Sequence, residues 1–478
     1  MDDVSSRPTI LAVDLDGTLI RTDLQYEAFW SAFGRKWTVP LVALGLLRQG
    51  RPKLKQRLAE LSRIDVAVLP YNEEVLAYVR RWRANGGRAA LVTASHQKLA
   101  DKVAAHIGEF DHAYGSSGTA NLKGTRKATF LAEKFGEGRF AYIGNSTADL
   151  PVWRKAAKAI TVSASPLLKA QVKAVTHDVE HLPGQRAPPI TYLRVLRPHQ
   201  WLKNLLVFVP MLVAHQFDVE TLIQSLLAFV SFCLIASSAY VFNDLLDLSA
   251  DRAHPRKRHR PLASGALPIA YGTLLAPLIL AAGLANALAT GNAFAAVVSA
   301  YFVTTMAYSL HLKRRLIIDV CVLAGLYAMR VVAGGVATGI ELSVWLLAFS
   351  IFFFFSLAAI KRQAELVDGL GSGQAVGRRR GYRPGDALLM ASMAAAAGYV
   401  AVLVMALYVN SPDVLKLHAK PQALWGICLV LLYWISRMVM VTHRGRMHDD
   451  PIVYAVKDRI SQICLLLILL FVAGASLP

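Results

Sequence analysis

Nine apolar stretches follow one another from residue 202 to the C-terminal end, and they restrict the possible fold more than any other feature. Each is long enough to cross or nearly cross a bilayer as a helix. Backbone polar groups must be satisfied internally in lipid, so such segments predict an all-α membrane domain of about nine helices. The first is short and contains Pro210. They lie near residues 202–217, 221–243, 269–289, 293–310, 316–338, 342–360, 386–409, 422–440 and 460–476.

Basic residues are distributed unevenly between these stretches. Eighteen Lys and Arg residues occupy the loops after the second, fourth, sixth and eighth stretches, whereas the alternate loops contain only Lys416 and Lys420. Cytoplasmic loops of membrane proteins are enriched in Lys and Arg. We therefore expect a multi-pass protein of the inner (plasma) membrane, with these four loops and the N-terminal domain in the cytoplasm and the C-terminus outside.

Composition excludes several other classes of protein. Of the 478 residues, 55% are hydrophobic and 18% are charged, which excludes a disordered chain. The net charge of +20 belongs mostly to the membrane loops, so no nucleic-acid partner is expected. The four cysteines lie in apolar runs without metal-ligand spacing, and we interpret them as core residues. No cleaved secretory signal is expected at the N-terminus.

Residues 1–185 have the pattern of a soluble α/β domain. Short β-rich runs at 10–13, 89–92 and 140–143 each end at polar residues, and helical patterns at 72–84 and 127–135 separate them. Alternating strands and helices of this kind predict an open, mostly parallel, Rossmann-like sheet. A linker is expected over 186–200, within a region rich in Pro and Gly from residue 181, and the membrane domain over 201–478.

The first strand of this domain leads into Asp14-Leu15-Asp16-Gly17-Thr18. Two carboxylates one residue apart at a strand end can point into one site. The first can attack phosphorus, and the second can protonate the leaving oxygen and then activate water.

Three further polar elements follow in order. Thr93 ends the second strand and offers a hydroxyl to a phosphoryl oxygen, and Lys127 offers a cation. The third strand leads into a corner containing Asn145 and Asp149, which suits a divalent cation. Mg²⁺ is the natural ion because it prefers oxygen ligands and bridges carboxylate and phosphate.

These four motifs resemble the haloacid dehalogenase (HAD) superfamily, and within it the phosphoserine-phosphatase-like hydrolases. The resemblance implies that Asp14 is the nucleophile and Asp16 the acid and base. It also implies that Thr93 and Lys127 bind phosphate, and that the helical insert at about 22–85 is a small cap. The implied metal ligands are Asp14, Asp16, Asn145 and Asp149. The family usually has Asp where Asn145 stands, which weakens the expected metal site, so a degenerate regulatory domain is the alternative.

The second apolar stretch ends in a series of acidic residues, Asp244, Asp247 and Asp251. Their spacing places them on one face of a helix, and three carboxylates at a membrane boundary have no evident structural use. A Mg²⁺-diphosphate bridge accounts for the spacing. The alternative is a solvated helix end paired with Arg252 or Arg256.

The NDxxDxxxD pattern from Asn243, followed by HPxKxxRPLASG, resembles the UbiA superfamily of intramembrane prenyltransferases. Aromatic prenyltransferases of that superfamily usually carry a second DxxxD motif. Here Asp319 is followed four residues later by Leu323, so the second carboxylate is absent. Lys313 and Arg330 flank Asp319 instead. Together with the segment from Arg197 to Asn204, this departure resembles the decaprenyl-phosphate phosphoribosyltransferase branch.

That branch implies phosphoribosyl diphosphate and a polyprenyl phosphate lipid as substrates, with Mg²⁺ on the three aspartates. The implied phosphate ligands are Lys203, Lys257, Arg260, Lys313 and Arg330, with Lys361, Arg362 and Arg380 as further candidates. Asn243, Tyr308 and Asp319 are expected to contact substrate. The leading interpretation is a bifunctional enzyme of cell-wall biosynthesis, in which the HAD domain removes the 5-phosphate to give polyprenyl-phosphoryl ribose. The alternatives are an aromatic polyprenyltransferase (4-hydroxybenzoate type) with an accessory phosphatase, or a HAD domain that only regulates.

Overall fold

The structure is a computed structural model of the chain. It describes residues 8–48, 50–117, 121–184, 187–371, 381–383, 385–411, 414, 420–447 and 450–476. The chain divides into two compact units. The first consists of Met1–Leu196 and Tyr240–Ala276, and the second of Arg197–Ala239 and Pro277–Pro478.

A six-stranded parallel sheet forms the centre of the first unit. Its order is β3-β2-β1-β4-β5-β6, so β1 pairs with β2 on one side and β4 on the other. Both faces are covered, which explains why the strands are continuous apolar runs rather than alternating ones. The predicted Rossmann-like α/β fold is confirmed. The strands are β1 (Ile10–Val13), β2 (Arg88–His96), β3 (His112–Ser116), β4 (Phe140–Gly144), β5 (Lys158–Val162) and β6 (Val179–Leu182).

The helices of this part fall into two groups. The first three form a small cap with its own apolar cluster, which includes Ala28, Val39 and Leu54. The fourth packs Val75 and Val79 into the core of the sheet, so the cap is narrower than the expected 22–85. The helices are α1 (Leu24–Phe33), α2 (Val39–Leu47), α3 (Arg51–Leu61), α4 (Glu73–Ala84), α5 (Gln97–Ile107), α6 (Thr125–Phe135), α7 (Leu150–Lys155), α8 (Pro166–Lys173) and α9 (Ile190–Arg194).

The expected linker is more ordered than its Pro and Gly content indicated. His181 and Leu182 belong to β6, and α9 and a 3₁₀ segment (Pro198–Phe208) occupy much of the range up to residue 200. Pro is accepted in the first turn of a helix, where its missing N–H has no intrahelical partner. Pro198 stands at such a position, and Pro189 is the residue that caps the start of α9.

The first predicted span is broken rather than a continuous helix. The 3₁₀ segment Pro198–Phe208 is followed by α10 (Val209–Val213), and Pro210 lies in the first turn of α10. Among the described helices, neither piece counts as long and apolar enough to cross a membrane. A crossing by this stretch stays a prediction.

Seven of the described helices are long and apolar enough to cross a membrane, and a bent pair brings the number to at most eight. The predicted nine is therefore approximate, and the chain is a multi-pass membrane protein. The long helices are α11 (Val219–Leu246), α13 (Ile269–Thr290), α14 (Asn292–Leu310), α15 (Ile318–Thr338), α16 (Val344–Gly371), α17 (Asp386–Val409) and α18 (Trp425–His443), which is preceded by a 3₁₀ turn from Pro421. The short α12 (Leu248–Arg252) follows α11, and α19 (Pro451–Lys457) with α20 (Arg459–Ser476) forms the bent pair, at 86°.

The last turns of α11 and the first turns of α13 belong to the first unit. There they pack with α1 in one apolar cluster that includes Trp30, Val241, Leu245 and Ile269. The Trp30 indole also donates to Thr273 Oγ1 at 2.8 Å. This cluster joins the α/β part of the chain to the segment that carries the acidic motif.

Candidate active sites

Asp14 and Lys127 form a buried ion pair at the end of β1. Lys127 Nζ lies 2.6 Å from Asp14 Oδ1 and 2.9 Å from the Tyr142 hydroxyl. Burial raises the pKa of the Asp14 carboxyl to about 7, although Lys127 opposes the rise. Burial would lower the pKa of Lys127, but the neighbouring Asp14 and Asp149 carboxylates raise it. Lys127 therefore stays a cation beside the expected nucleophile.

Asp16 is held by three donors. Its Oδ2 accepts from Thr93 Oγ1 at 3.1 Å and from Ser95 Oγ at 2.7 Å, and its Oδ1 accepts from the Leu24 backbone N–H at 2.8 Å. These contacts fix the orientation of the carboxyl that is expected to act as acid and base. In this structure Thr93, expected to bind phosphate, holds Asp16.

The corner after β4 brings Asn145 beside the DxDGT turn. Gly17 has a φ of +75°, and a Cβ on it would lie 2.3 Å from Asn145 Nδ2, so only glycine fits there. Asp149 accepts from the Tyr142 hydroxyl at 2.8 Å and from Ser146 Oγ at 3.1 Å. It also closes a capping box with Ser146, so its carboxylate organises this corner.

Asp14, Asp16, Lys127, Asn145 and Asp149 line one cavity of about 540 Å³. Its size falls within the range of small-molecule pockets. The structure thus brings together five of the residues predicted for the phosphatase. Thr93 contacts the site through its hydrogen bond to Asp16.

In the acidic motif of the membrane domain, Asp244 and Asp251 converge on one cation. Arg260 Nη1 lies 3.1 Å from Asp244 Oδ1 and 2.6 Å from Asp251 Oδ2. Both aspartates are buried. α11 ends at Leu246, yet the Asp247 N–H still bonds to the Asn243 carbonyl, which keeps near-helical spacing. The predicted common face is therefore observed for Asp244 and Asp251.

Within the second unit, Asp450 gathers two lysines. Its carboxylate lies 2.7 Å from Lys203 Nζ and 3.2 Å from Lys361 Nζ, and Tyr327 donates to it at 3.2 Å. Asp450 was not predicted. The sequence Asp449-Asp450-Pro451 is the signal that could have revealed it, since Asp followed by Pro is a common helix start.

Asp319 and Arg330 both contact polar protein groups in the second unit. Asp319 is buried between the Arg362 guanidinium at 2.5 Å and the Tyr382 hydroxyl at 2.6 Å. Arg330 is also buried, and donates to Asn204 Oδ1 at 2.9 Å and to the Tyr301 hydroxyl at 2.7 Å. These contacts join α15, which carries both residues, to neighbouring segments of the second unit. A role of either residue toward substrate stays a prediction.

The remaining predicted residues lie at the ends of helices or in turns. Asn243 and Tyr308 are half-buried in the last turns of α11 and α14, and Asp247 is half-buried between α11 and α12. Lys257 and Lys313 stand in short 3₁₀ turns. Arg380 lies outside the described residues.

The donors present suit Mg²⁺ when other oxygens complete its coordination. Within the described ranges, no three His, Cys, Asp or Glu side chains are grouped so as to hold a metal by themselves. Mg²⁺ usually keeps several waters and takes one or two carboxylates together with substrate phosphate oxygens. The converging pair Asp244 and Asp251 fits this pattern. Asp14 with the Asn145 amide fits it with one negative charge fewer.

Comparison with known proteins identifies the family of each half of the chain. Residues 204–455 match the model of the UbiA prenyltransferase family, and residues 11–154 match that of the haloacid dehalogenase-like hydrolases. The chain belongs to the UbiA prenyltransferase family and carries an N-terminal HAD-like domain. Both are enzyme families, so the predicted enzyme class is confirmed.

Relatives and a solved structure give further detail. The uncharacterized protein y4nM of Sinorhizobium fredii is 38% identical over 96% of this chain and 89% of its own. Decaprenyl-phosphate phosphoribosyltransferase of Mycolicibacterium smegmatis is 32% identical over 61% of this chain and 95% of its own. A UbiA homolog from Archaeoglobus fulgidus, bound to GPP and Mg²⁺, is 17% identical, with a TM-score of 0.45 over 59% of this chain and 99% of its own.

Proposed function

We propose that this chain transfers 5-phosphoribose from phosphoribosyl diphosphate to a polyprenyl phosphate, and that its HAD domain then removes the 5-phosphate. The main support for the transfer is that the Asp244 and Asp251 carboxylates converge on the Arg260 guanidinium within a chain similar to a decaprenyl-phosphate phosphoribosyltransferase. The main support for the second step is the complete set of Asp14, Asp16 and Lys127 in one cavity.

In the transfer, an oxygen of the lipid phosphate forms a bond to the anomeric carbon of the ribose. The bond from that carbon to the diphosphate breaks, and the diphosphate leaves with the electron pair. Asp244, Asp247 and Asp251 would hold Mg²⁺, which neutralises charge on the diphosphate. Arg260 pairs with two of these aspartates, which supports the proposal that it contacts the leaving diphosphate.

In the hydrolysis, an Asp14 oxygen attacks the 5-phosphate phosphorus and the ester oxygen of the ribose departs. Asp16 gives that oxygen a proton, and then takes a proton from the water that attacks the aspartyl phosphate. Inorganic phosphate and free Asp14 are regenerated. Lys127 balances the phosphoryl charge. Asp14 and Asn145 are the residues that would contribute most directly to a Mg²⁺ site here.

Two variants of the full-length protein in lipid nanodiscs test both steps. Asp14→Asn keeps the shape of the nucleophile, so it should stop hydrolysis and accumulate the lipid as its 5-phosphoribose form. Asp244→Ala should abolish transfer but leave hydrolysis of small phosphomonoesters. Mass spectrometry of the lipid separates the two products by one phosphate.

The outcomes discriminate between the competing functions. If wild-type protein joins a prenyl diphosphate to an aromatic acid and ignores phosphoribosyl diphosphate, it is an aromatic prenyltransferase. If wild type and Asp14→Asn leave the same phosphorylated lipid, the HAD domain acts on another substrate or only regulates.

A further inference from the structure

The cavity that contains Asp14 has a wall supplied by a distant part of the chain. Besides the phosphatase residues, Gly265, Ala266, Pro268, Ile269 and Ala270 line it. These residues lead into and begin α13, a helix apolar enough to cross a membrane. All of them belong to the first unit, together with the sheet and the cap.

Close contacts fix this wall beside the catalytic loop. Gly265 has a φ of +72°, and a Cβ on it would lie 2.6 Å from Arg21 Cβ. Nearby, the buried Glu27 accepts from Arg252 at 2.6 Å and from Thr22 at 2.8 Å. These contacts pack the wall against the cap and the loop that follows β1.

Charged residues of both signs line the pocket. Lys127 is paired with Asp14, and three further cations, Arg21, Lys55 and Lys123, line the cavity together with the carboxylates of Asp16, Asp23 and Asp149. Lys55 donates to the Ala94 carbonyl at 3.0 Å, which holds this cap residue above the end of β2. The wall from Ala266 to Ala270, in contrast, is apolar. Cations on one side and an apolar path toward a membrane helix on the other suit a substrate with a second phosphate and a lipid tail.

We propose that the phosphatase site selects a membrane-bound substrate with two phosphate groups. The terminal monoester lies at Asp14, the phosphodiester contacts Arg21, Lys55 and Lys123, and the lipid tail leaves along the wall toward the bilayer. This proposal rests on the proposed function, and names the residues that determine its specificity.

The test compares two substrates with the full-length protein in nanodiscs. One is a synthetic prenyl-phosphoryl 5-phosphoribose, which does not depend on the transferase, and the other is soluble ribose 5-phosphate. The readout is the ratio of the two kcat/KM values, lipid substrate over ribose 5-phosphate.

Variants of the wall and of the cations should change this ratio. Ala266→Trp should lower it about tenfold because the larger side chain obstructs the path of the lipid along the wall, and Ala266→Leu should lower it less. Lys123→Gln should lower it by raising KM for the lipid. Leu278→Trp, on an exposed part of α13 outside the cavity, is the matched control.

Each result decides something different. If wild type prefers soluble ribose 5-phosphate, or if Ala266→Trp and Lys123→Gln leave the ratio unchanged, the proposal is overturned. The proposed function still stands in the second case, because wild type hydrolyses the lipid. If neither substrate is hydrolysed, both this proposal and the proposed phosphatase step are overturned. The transfer step is tested independently by whether Asp14→Asn forms phosphoribosylated lipid.

A second observation concerns the cap. Trp37, Leu41 and Leu44 are each more than 60% exposed on and beside α2, whereas Val39 and Ala43 on the opposite face pack into the cap core. Arg35, Lys36 and Arg48 flank these apolar side chains and are exposed. We call Trp37, Leu41 and Leu44 the cap patch.

The neighbouring helix places the cap patch beside membrane helices. α1 contacts the end of α11, where the rings of Trp30 and Phe242 lie 5.9 Å apart and Gly34 lies against Leu246. α2 begins only six residues after α1 ends. We infer that the cap patch is inserted into the bilayer interface, with Trp37 at headgroup level and the flanking cations toward anionic lipids.

A fluorescent label on Leu44→Cys tests this in the full-length protein, with the native cysteines replaced. In nanodiscs it should be quenched by spin-labelled lipids and protected from iodide in solution. The control is the same label on Arg57→Cys, an exposed cap residue on α3, which should behave in the opposite way. Equal iodide quenching at both positions overturns the inference. Protection of Leu44→Cys from both quenchers also overturns it, because protein would then cover the patch.

Discussion

Asp14 combines burial with a nearby cation, and its protonation sets the pH dependence of hydrolysis. Its pKa is raised to about 7 because burial disfavours the carboxylate. Only the ionised form attacks phosphorus, so kcat/KM for phosphomonoesters should fall about tenfold per pH unit below that midpoint. Bound Mg²⁺ favours the carboxylate, so the midpoint should move to lower pH as Mg²⁺ is increased. A profile that is flat down to pH 5 at low Mg²⁺ would contradict this.

Asn145 gives the phosphatase site one negative charge fewer than an aspartate at this position would. Gly17 has no side chain, so Asn145 can approach the DxDGT turn closely. A carboxylate at position 145 would therefore lie beside the proposed Mg²⁺ site. Asn145→Asp should therefore lower the Mg²⁺ concentration for half-maximal hydrolysis about tenfold. Asn145→Ala should raise it. No change in either variant would mean that residue 145 does not contact the metal.

The Asp450 carboxylate pairs with both Lys203 and Lys361, and we expect it to position them. Asp450→Asn keeps the shape but leaves the buried Lys203 and the partly exposed Lys361 without their anion. Phosphoribosyl transfer should fall at least about tenfold, because displaced lysines no longer bind phosphate in the same geometry. Asp458→Asn, which breaks the more exposed pair with Arg437, is the control and should have little effect. Equal rates for wild type and Asp450→Asn would exclude a part for this cluster in transfer.

At the scale of elements, the Glu27–Arg252 pair joins α1 of the cap to α12, next to Asp251. Both side chains are about 6% exposed. Removing one partner of such a pair typically costs about 3–5 kcal/mol, because the other charge stays buried without compensation. Glu27→Leu should therefore lower both thermal stability and the transfer rate. The double variant Glu27→Leu, Arg252→Met should recover much of the stability, and failure to recover would mean that the pair acts through another contact.

The sequence predicted those parts of the sites that depend on local pattern. Asp14 and Asn145 follow apolar strands, and parallel strands bring their carboxyl ends to one edge, so their proximity was predictable. Glu27 and Arg252 lie 225 residues apart, and no local pattern relates them. The same applies to Lys203 and Asp450, separated by 247 residues. The first span was less regular than expected, because its 3₁₀ segment depends on tertiary packing that composition does not encode.

At the scale of the whole molecule, the orientation in the membrane rests on two separate observations. Eighteen basic residues occupy alternate loops, against two in the others. The Glu27–Arg252 ion pair independently requires the phosphatase part and the loop after α11 to face the same side. Both observations agree only if the broken stretch from Pro198 to Val213 crosses the bilayer, so they predict that crossing.

Single cysteines in a cysteine-free protein test this orientation. Arg258→Cys lies in the loop after α11, Arg57→Cys in the cap, and Glu341→Cys in the short connection between α15 and α16. A membrane-impermeant maleimide should label Glu341→Cys in intact cells, because the positive-inside rule places that loop outside. It should label Arg258→Cys and Arg57→Cys only after permeabilisation.

Two outcomes would contradict this orientation. If Arg57→Cys and Arg258→Cys were labelled from opposite sides, the stretch from Pro198 to Val213 would not cross the bilayer, and the buried Glu27–Arg252 ion pair could not form. If all three were labelled from one side, the alternation of loops would be wrong. Either result would contradict the proposal that the phosphatase receives its substrate along the start of α13.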